Sequence, residues 1–156
     1  MPRTADRSLA DFDIAIIGGG AGGVLTAIHA LRLAGAGTRI ALIEPVARLA
    51  QGVAYATAHS AHLLNGPARR MSAFKDRPDD FVDFLVASEG EDARAAIAVA
   101  YAERRRYGDY LRDRLQLARG GSAAHFEVLQ DRVTGIDGEE GSGCLRLQRE
   151  SGTELR

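Results

Sequence analysis

The 156-residue sequence balances 20 Lys and Arg against 21 Asp and Glu, for a formal net charge of −1, and is 26% charged and 46% hydrophobic. That is the composition of an ordinary globular domain; it excludes a disordered chain and a strongly basic nucleic-acid binder. One cysteine, Cys144, excludes an internal disulfide, a cysteine zinc cluster and a CxxC redox pair.

Met1 to Asp11 is polar and without periodicity, and reads as a flexible leader to a domain spanning 12–156. Phe12 to Ile17 is a short apolar strand. It runs into Gly18-Gly19-Gly20-Ala21-Gly22-Gly23, a GxGxxG turn opening a helix. Such a turn holds a pyrophosphate: Gly18 permits the tight exit from the strand, Gly20 admits phosphate to the backbone, and Gly23 lets helix and sheet approach. Ala21 and Gly22 add N–H groups at the positive end of the helix dipole. In a chain with 18 glycines the motif alone is weak, and a purely structural glycine turn is the alternative. The uncharged interval from Ile14 to Leu31 has the length of a membrane span, but its central Gly and Ala residues, with Asp11 and Asp13 at its threshold, argue against one. A cytoplasmic protein is expected, with neither a membrane nor nucleic acid as partner.

The context of the motif follows in order. Val24 to Leu33 reads as a helix, Gly35 and Gly37 stop it, and Thr38 to Ile43 reads as a second strand. Glu44 ends that strand 21 positions after Gly23, near the roughly 20-residue separation at which an acid meets ribose hydroxyls. This spacing predicts that Gly20→Val weakens dinucleotide binding far more than Glu44→Gln, which keeps an acceptor.

Val46 to Lys75 has no sustained period and reads as a long, ordered, ligand-covering loop. Within it Asn65 can both donate and accept, Met71 offers a polarisable surface, and Arg69 or Arg70 suits an anion. Each has a plainer reading as well: a turn residue, core filler, and a solvated ion pair. Helices are predicted over Asp76 to Ser88, Glu91 to Glu103 and Tyr107 to Leu117, with Arg104-Arg105-Arg106 as a solvated segment end. A strand is predicted over His125 to Ile136, a turn over Gly138 to Gly143, and a partner strand over Cys144 to Gln148. Thr153 to Arg156 reads as the start of something further. His29 reads as packed or exposed on the first helix, His59 and His62 have no acid cluster beside them, and no metal site is expected. The fold class expected is α/β, a Rossmann-like parallel sheet with a β-hairpin or meander insertion, apparently truncated.

Gly52-Val53-Ala54-Tyr55-Ala56-Thr57 and His62-Leu63-Leu64-Asn65-Gly66-Pro67-Ala68-Arg69-Arg70-Met71-Ser72-Ala73-Phe74 resemble the FAD/NAD(P)-binding flavoprotein family that includes urate hydroxylases and amine N-oxygenases. Pro78-Asp79-Asp80-Phe81 and Arg106-Tyr107-Gly108-Asp109-Tyr110-Leu111 extend the likeness across Asp13 to Ile136. The resemblance implies FAD in this site, with Gly18, Gly20 and Gly23 at the pyrophosphate, Glu44 on the adenosine ribose, Asn65, Arg70 and Met71 toward the flavin, and Val133 presenting backbone to adenine. Gly66 departs from the pattern, standing where the family usually has an apolar residue. The family's following Ala-Thr-Gly strand and second nucleotide region, which would bring NAD(P)H, are not in this sequence. The implied function is the FAD-binding portion of an NAD(P)H-dependent oxidoreductase, monooxygenase-like and acting on a small molecule, inactive as this portion alone. A flavin disulfide reductase fits poorly with one cysteine. An NAD-dependent dehydrogenase domain and a non-catalytic nucleotide-binding module are the alternatives.

Overall fold

A computed structural model describes residues 11–138 and 143–156. Most of the expected leader and the tip of the turn after Gly138 lie outside them. Three parallel strands, β1 (Ile14–Ile17), β2 (Arg39–Ile43) and β3 (His125–Leu129), form a sheet in the order β1-β2-β3. Three antiparallel strands, β4 (Val133–Gly138), β5 (Leu145–Arg149) and β6 (Glu154–Leu155), form a second sheet. The helices are α1 (Ala21–Leu33), α2 (Asp80–Glu89), α3 (Arg94–Val99) and α4 (Arg104–Gly121).

β2 organises the layers because both of its faces are buried. Ile40 and Leu42 point into the main core, with Val24, Ile28 and Leu31 of α1 and Tyr110, Leu111 and Leu115 of α4. Ala41 and Ile43 point the other way, onto Leu147 and Leu155 of the second sheet. A strand sandwiched like this reads as continuous apolar sequence rather than alternation, and Ile40-Ala41-Leu42-Ile43 does. The α/β class and the meander on a Rossmann-like sheet are as the sequence indicates. Thr153 to Arg156 contains the meander's own third strand, β6: Leu155 pairs with Leu147, and the Phe12 N–H donates to the Arg156 carbonyl at 2.7 Å.

Three predicted elements change. The Ala-rich helix expected over 91–103 becomes a 3-10 turn at Glu91–Ala93 and α3, which stops at Val99. Beyond it the chain is taken into pairing with the long loop: Ala100 O accepts from Ala68 N–H and Ala102 O from Leu64 N–H, both at 2.9 Å, and Leu63 bridges Glu103. Tertiary pairing overrides alanine's helix propensity. The strand expected over 125–136 is cut in two at Asp131. Its carboxylate accepts the Arg132 N–H at 2.8 Å and the Ser151 hydroxyl at 2.6 Å, a local alternative to the ladder that hands the chain from one sheet to the other. The helix expected from Asp76 starts at Asp80, because Ser72 Oγ lies 2.6 Å from the Arg77 carbonyl and the Asp80 N–H reaches the Arg77 carbonyl, tying residues 72–80 into turns.

The three adjacent arginines at the start of α4 are tied down locally. Arg104 donates to the Leu63 carbonyl, Arg105 pairs with Glu103, and Arg106 pairs with Glu89 and Ser88. Among the described residues no helix is long and apolar enough to cross a membrane.

The core between α2 and α4 is aromatic: Phe81, fully buried, lies edge-on to Tyr107 at 5.2 Å and tilted on Tyr110 at 4.9 Å. Phe81→Ala leaves a cavity there and is expected to cost about 3–5 kcal/mol. Denaturant unfolding checks this; a loss below about 1 kcal/mol contradicts the packing.

Candidate functional site

The site is built where β1 ends and α1 begins. Gly18 adopts φ +96°, a conformation open to glycine and strained for other residues, and its N–H donates to the Ile43 carbonyl at 2.9 Å. The chain then reverses into α1, whose first turn passes so close that a Cβ on Gly23 would stand 1.7 Å from the Gly18 carbonyl oxygen. Only hydrogen fits there. Gly20 is the N-cap, with no side-chain cap and no acidic residue in the first turn. The N–H groups of Ala21, Gly22 and Gly23 thus open the helix without a side-chain cap, as donors that an anion can use.

Glu44 stands at the end of β2 and is wired to this turn. Its Oε2 accepts the Gly19 N–H at 2.6 Å and its Oε1 accepts the Val46 N–H at 3.0 Å. The acid therefore braces the glycine turn while its remaining lone pairs stay available to a hydroxyl. Glu44→Gln therefore disturbs the turn itself: an amide offers one oxygen to two N–H donors, so one donor is left facing an NH2 group. Leaving a partly buried donor unpaired costs about 1–3 kcal/mol.

Part of the long loop folds back over the same turn. Ala50, fully buried and at φ 58°, donates its N–H to the Gly19 carbonyl at 2.8 Å. Two residues on, Gly52 faces Gly20, and a Cβ built on Gly52 would lie 3.4 Å from the Gly20 Cα. Two glycine backbones thus oppose each other at the mouth of the helix. The loop is held from behind: Arg112 of α4 donates to the Leu49 carbonyl at 3.3 Å, the Tyr55 ring lies 5.2 Å from that of Tyr107, and Gly108 leaves room for the Ala50 carbonyl. The spacing rules missed Gly19, Ala50 and Gly52 as site-builders. A Cβ on Gly19 would come within 2.6 Å of Leu49 and 2.8 Å of Glu44. Gly52 opens one of the blocks that carried the resemblance, but nothing in Ala50 itself signals its role.

The other expected residues occupy two further places. Asn65 and Arg70 are exposed and Met71 is half-buried, on the loop segment that pairs with residues 100–103 and then reaches α4 at Ala73. Among the described residues no hydrogen bond or ion pair joins them to the glycine turn or to Glu44. Val133 opens β4 and packs against the cluster of Ala41, Ile43, Leu147 and Leu155, a few residues after Leu129, whose carbonyl accepts the Glu44 N–H at the carboxyl end of the parallel sheet. His29 is half-buried and donates from Nε2 to the Ala73 carbonyl at 3.0 Å. His59 and His62 stack with ring centroids 5.1 Å apart, and no group of three or more metal-ligating side chains occurs among the described residues.

This constellation agrees with the family that the sequence matches over residues 15–156, FAD-NAD(P)-binding. The chain belongs to that family. It is accordingly a dinucleotide-binding domain of the FAD-NAD(P) class. No curated protein matches the sequence. Among solved structures it is similar to a flavin monooxygenase variant from Stenotrophomonas maltophilia (19% identity, TM-score 0.58, 94% of this chain and 36% of that one). It is similar to a cyclohexanone monooxygenase (18%, TM-score 0.63, 95% and 24%) and to the bacillithiol disulfide reductase of Staphylococcus aureus (15%, TM-score 0.60, 95% and 37%). At these identities the likeness is one of fold, and the chain spans well under half the length of each.

The glycines separate by their surroundings. Gly23→Ala places a methyl on a carbonyl oxygen and is expected to cost at least the about 1–3 kcal/mol of ordinary overpacking. Gly22→Ala, whose Cβ would meet nothing within 4 Å, is expected to hold or raise stability by up to about 1 kcal/mol through helix propensity. Melting temperatures of the two variants check the contrast; equal values contradict the close approach at Gly23.

Proposed function

We propose that this chain is the FAD-binding portion of an NAD(P)H-dependent flavoprotein monooxygenase that acts on a small molecule in the cytoplasm. The observation that carries the reading is the uncapped start of α1 at Gly20, opposed by Gly52 and flanked by Glu44. It combines backbone donors, a helix dipole and a neighbouring acceptor, with no side chain on either facing glycine to shield the helix start.

In this reading Gly18, Gly20, Ala21, Gly22 and Gly23 hold the pyrophosphate through backbone donors and close approach. Glu44 accepts from the adenosine ribose with the lone pairs that Gly19 and Val46 leave free. Val133 offers backbone to the adenine. Asn65, Arg70 and Met71 lie toward the flavin: Asn65 as combined donor and acceptor, Met71 as a polarisable surface, and Arg70, an exposed cation with no ion pair among the described residues, as a counter-charge. FAD supplies the redox chemistry when bound, and the protein's part is binding, orientation and electrostatics. No acid or base of this chain is assigned to the reaction. The nicotinamide donor and the substrate are proposed to be held by regions outside this chain, which agrees with its covering only 24% to 37% of the three solved proteins above. The fold alone also fits a reductase.

The intact protein is expected to purify with, or take up, stoichiometric FAD, read from its flavin absorbance. Gly20→Ala is the informative variant. Its added Cβ meets only the Gly52 Cα, at 3.8 Å, and φ at Gly20 is −67°, so the fold accommodates it while phosphate approach suffers. Its melting temperature should stay near wild type and its FAD affinity should fall at least tenfold. Glu44→Gln should lower both. Selective stabilisation by NAD, with none by FAD, supports a plain dehydrogenase domain and overturns the proposal.

A further inference from the structure

One residue outside the glycine turn has its backbone held on both sides. Ala73 follows the Arg70-Met71-Ser72 stretch, and both ends of its backbone are fastened by side chains distant in sequence. Its N–H donates to the Tyr110 hydroxyl of α4 at 2.9 Å, and its carbonyl accepts from His29 Nε2 of α1 at 3.0 Å. Because a carbonyl only accepts, the imidazole must carry its proton on Nε2. The Tyr110 hydroxyl spends its own proton on Asp80 Oδ2 at 2.8 Å. Burial pushes that hydroxyl's pKa up to about 12, so it remains a donor across the physiological range.

Asp80, only 5% exposed, is the fixed charge behind this arrangement. Its Oδ1 meets Arg77 at 3.0 Å. Arg114 Nε lies 2.9 Å from Oδ2 but off the N–H axis, so it is a charge contact rather than a hydrogen bond. The next residue, Phe74, is buried with the guanidinium carbons of Arg32 and Arg77 at 4.6 and 4.0 Å from its ring centroid, and its ring lies edge-on to His29 at 5.8 Å. Burying a carboxylate among two guanidiniums and a phenol is a costly way to obtain stability alone, since apolar side chains of similar volume serve as well or better. What it does provide is a single position for Ala73.

That position is referred to the nucleotide site through one rigid element. His29 and Gly20 lie on the same helix, nine residues apart, or about 13 Å along its axis. We propose that the clamp of His29 and Tyr110 on the Ala73 peptide, backed by Asp80, is a positioning device that sets Arg70 and Met71 relative to the dinucleotide held at the start of α1. The inference rests on the FAD reading above. Tyr110 and His29 are positioning residues in it: they touch the Ala73 backbone and act on the cofactor through that segment.

The test measures two things on the intact protein: amide hydrogen exchange of peptides covering residues 68–75, and FAD affinity together with the visible circular dichroism of bound flavin. Tyr110→Phe and His29→Leu each remove one fastening, whereas His29→Gln keeps an N–H donor. The expected result is at least tenfold faster exchange over 68–75 in Tyr110→Phe and His29→Leu, with FAD affinity lowered several-fold and an altered flavin dichroism. His29→Gln should lie near wild type in each. The proposal is overturned if exchange accelerates while affinity and dichroism do not move, because the clamp is then structural only. It is overturned equally if exchange does not change, because the fastenings then hold nothing. Should wild type take up no FAD, the cofactor reading falls and the positioning role with it, while the exchange data still show whether the clamp exists. If Tyr110→Phe does not fold, the His29 pair decides.

Discussion

The approach of α1 to the end of β1 is the constraint on which the rest of the molecule depends. With Gly23 against the Gly18 carbonyl there is no room even for a methyl group, so the helix leaves the sheet at one distance and one angle. That places Val24, Ala27, Ile28 and Leu31 on the sheet and on α4. It also leaves the first N–H groups of the helix open at the carboxyl end of the strands, where open α/β sheets bind their ligands. Stability and binding geometry thus come from the same contact, and a substitution at Gly23 cannot separate them. One at Gly20 can.

Around that contact the segment between β2 and β3 builds two supports. The first brings residues 49–55 over the turn, where Ala50 bonds to Gly19 and Gly52 opposes Gly20. The second brings residues 71–74 against α1 and α4, where Ala73 is held at both ends. Both are braced by α4, through Arg112 and Gly108 in one case and Tyr110 in the other. The second sheet covers the opposite face of β2 and brings Val133 beside the end of that strand. The three layers therefore converge on the ledge formed by the ends of the parallel strands.

What was legible in the sequence was what local chemistry demands. The glycine turn, the apolar run of β2 and Glu44 at its end could be read because each residue type is forced by its position within about 25 residues. The bracing roles could not. Ala73 meets partners 37 and 44 positions away, and an alanine gives no sign of what holds its backbone. Ala100 to Glu103 carry helix-favouring residues yet pair with the 63–68 segment, since loop groups there need partners more than the helix needs another turn. Asp131 reads as one polar residue within a strand; its effect comes from Ser151 and Arg149, which only the folded meander brings to it. Glu44 stands beside the glycine turn, and its two backbone donors, which no spacing rule signals, make it a brace of that turn.

The most direct test of the central claim is a titration of the isotopically labelled intact protein with FAD, followed by backbone amide resonances. If the pyrophosphate sits at the start of α1, beside the loop that packs on Gly20, the largest shifts appear at Gly20, Ala21, Gly22 and Gly52, with smaller ones at Gly19 and Val46 as Glu44 takes up the ribose. If those amides stay still while FAD binds, or if the shifts fall on the far ends of α1 and α4, the dinucleotide lies elsewhere and the glycine turn is a packing device alone.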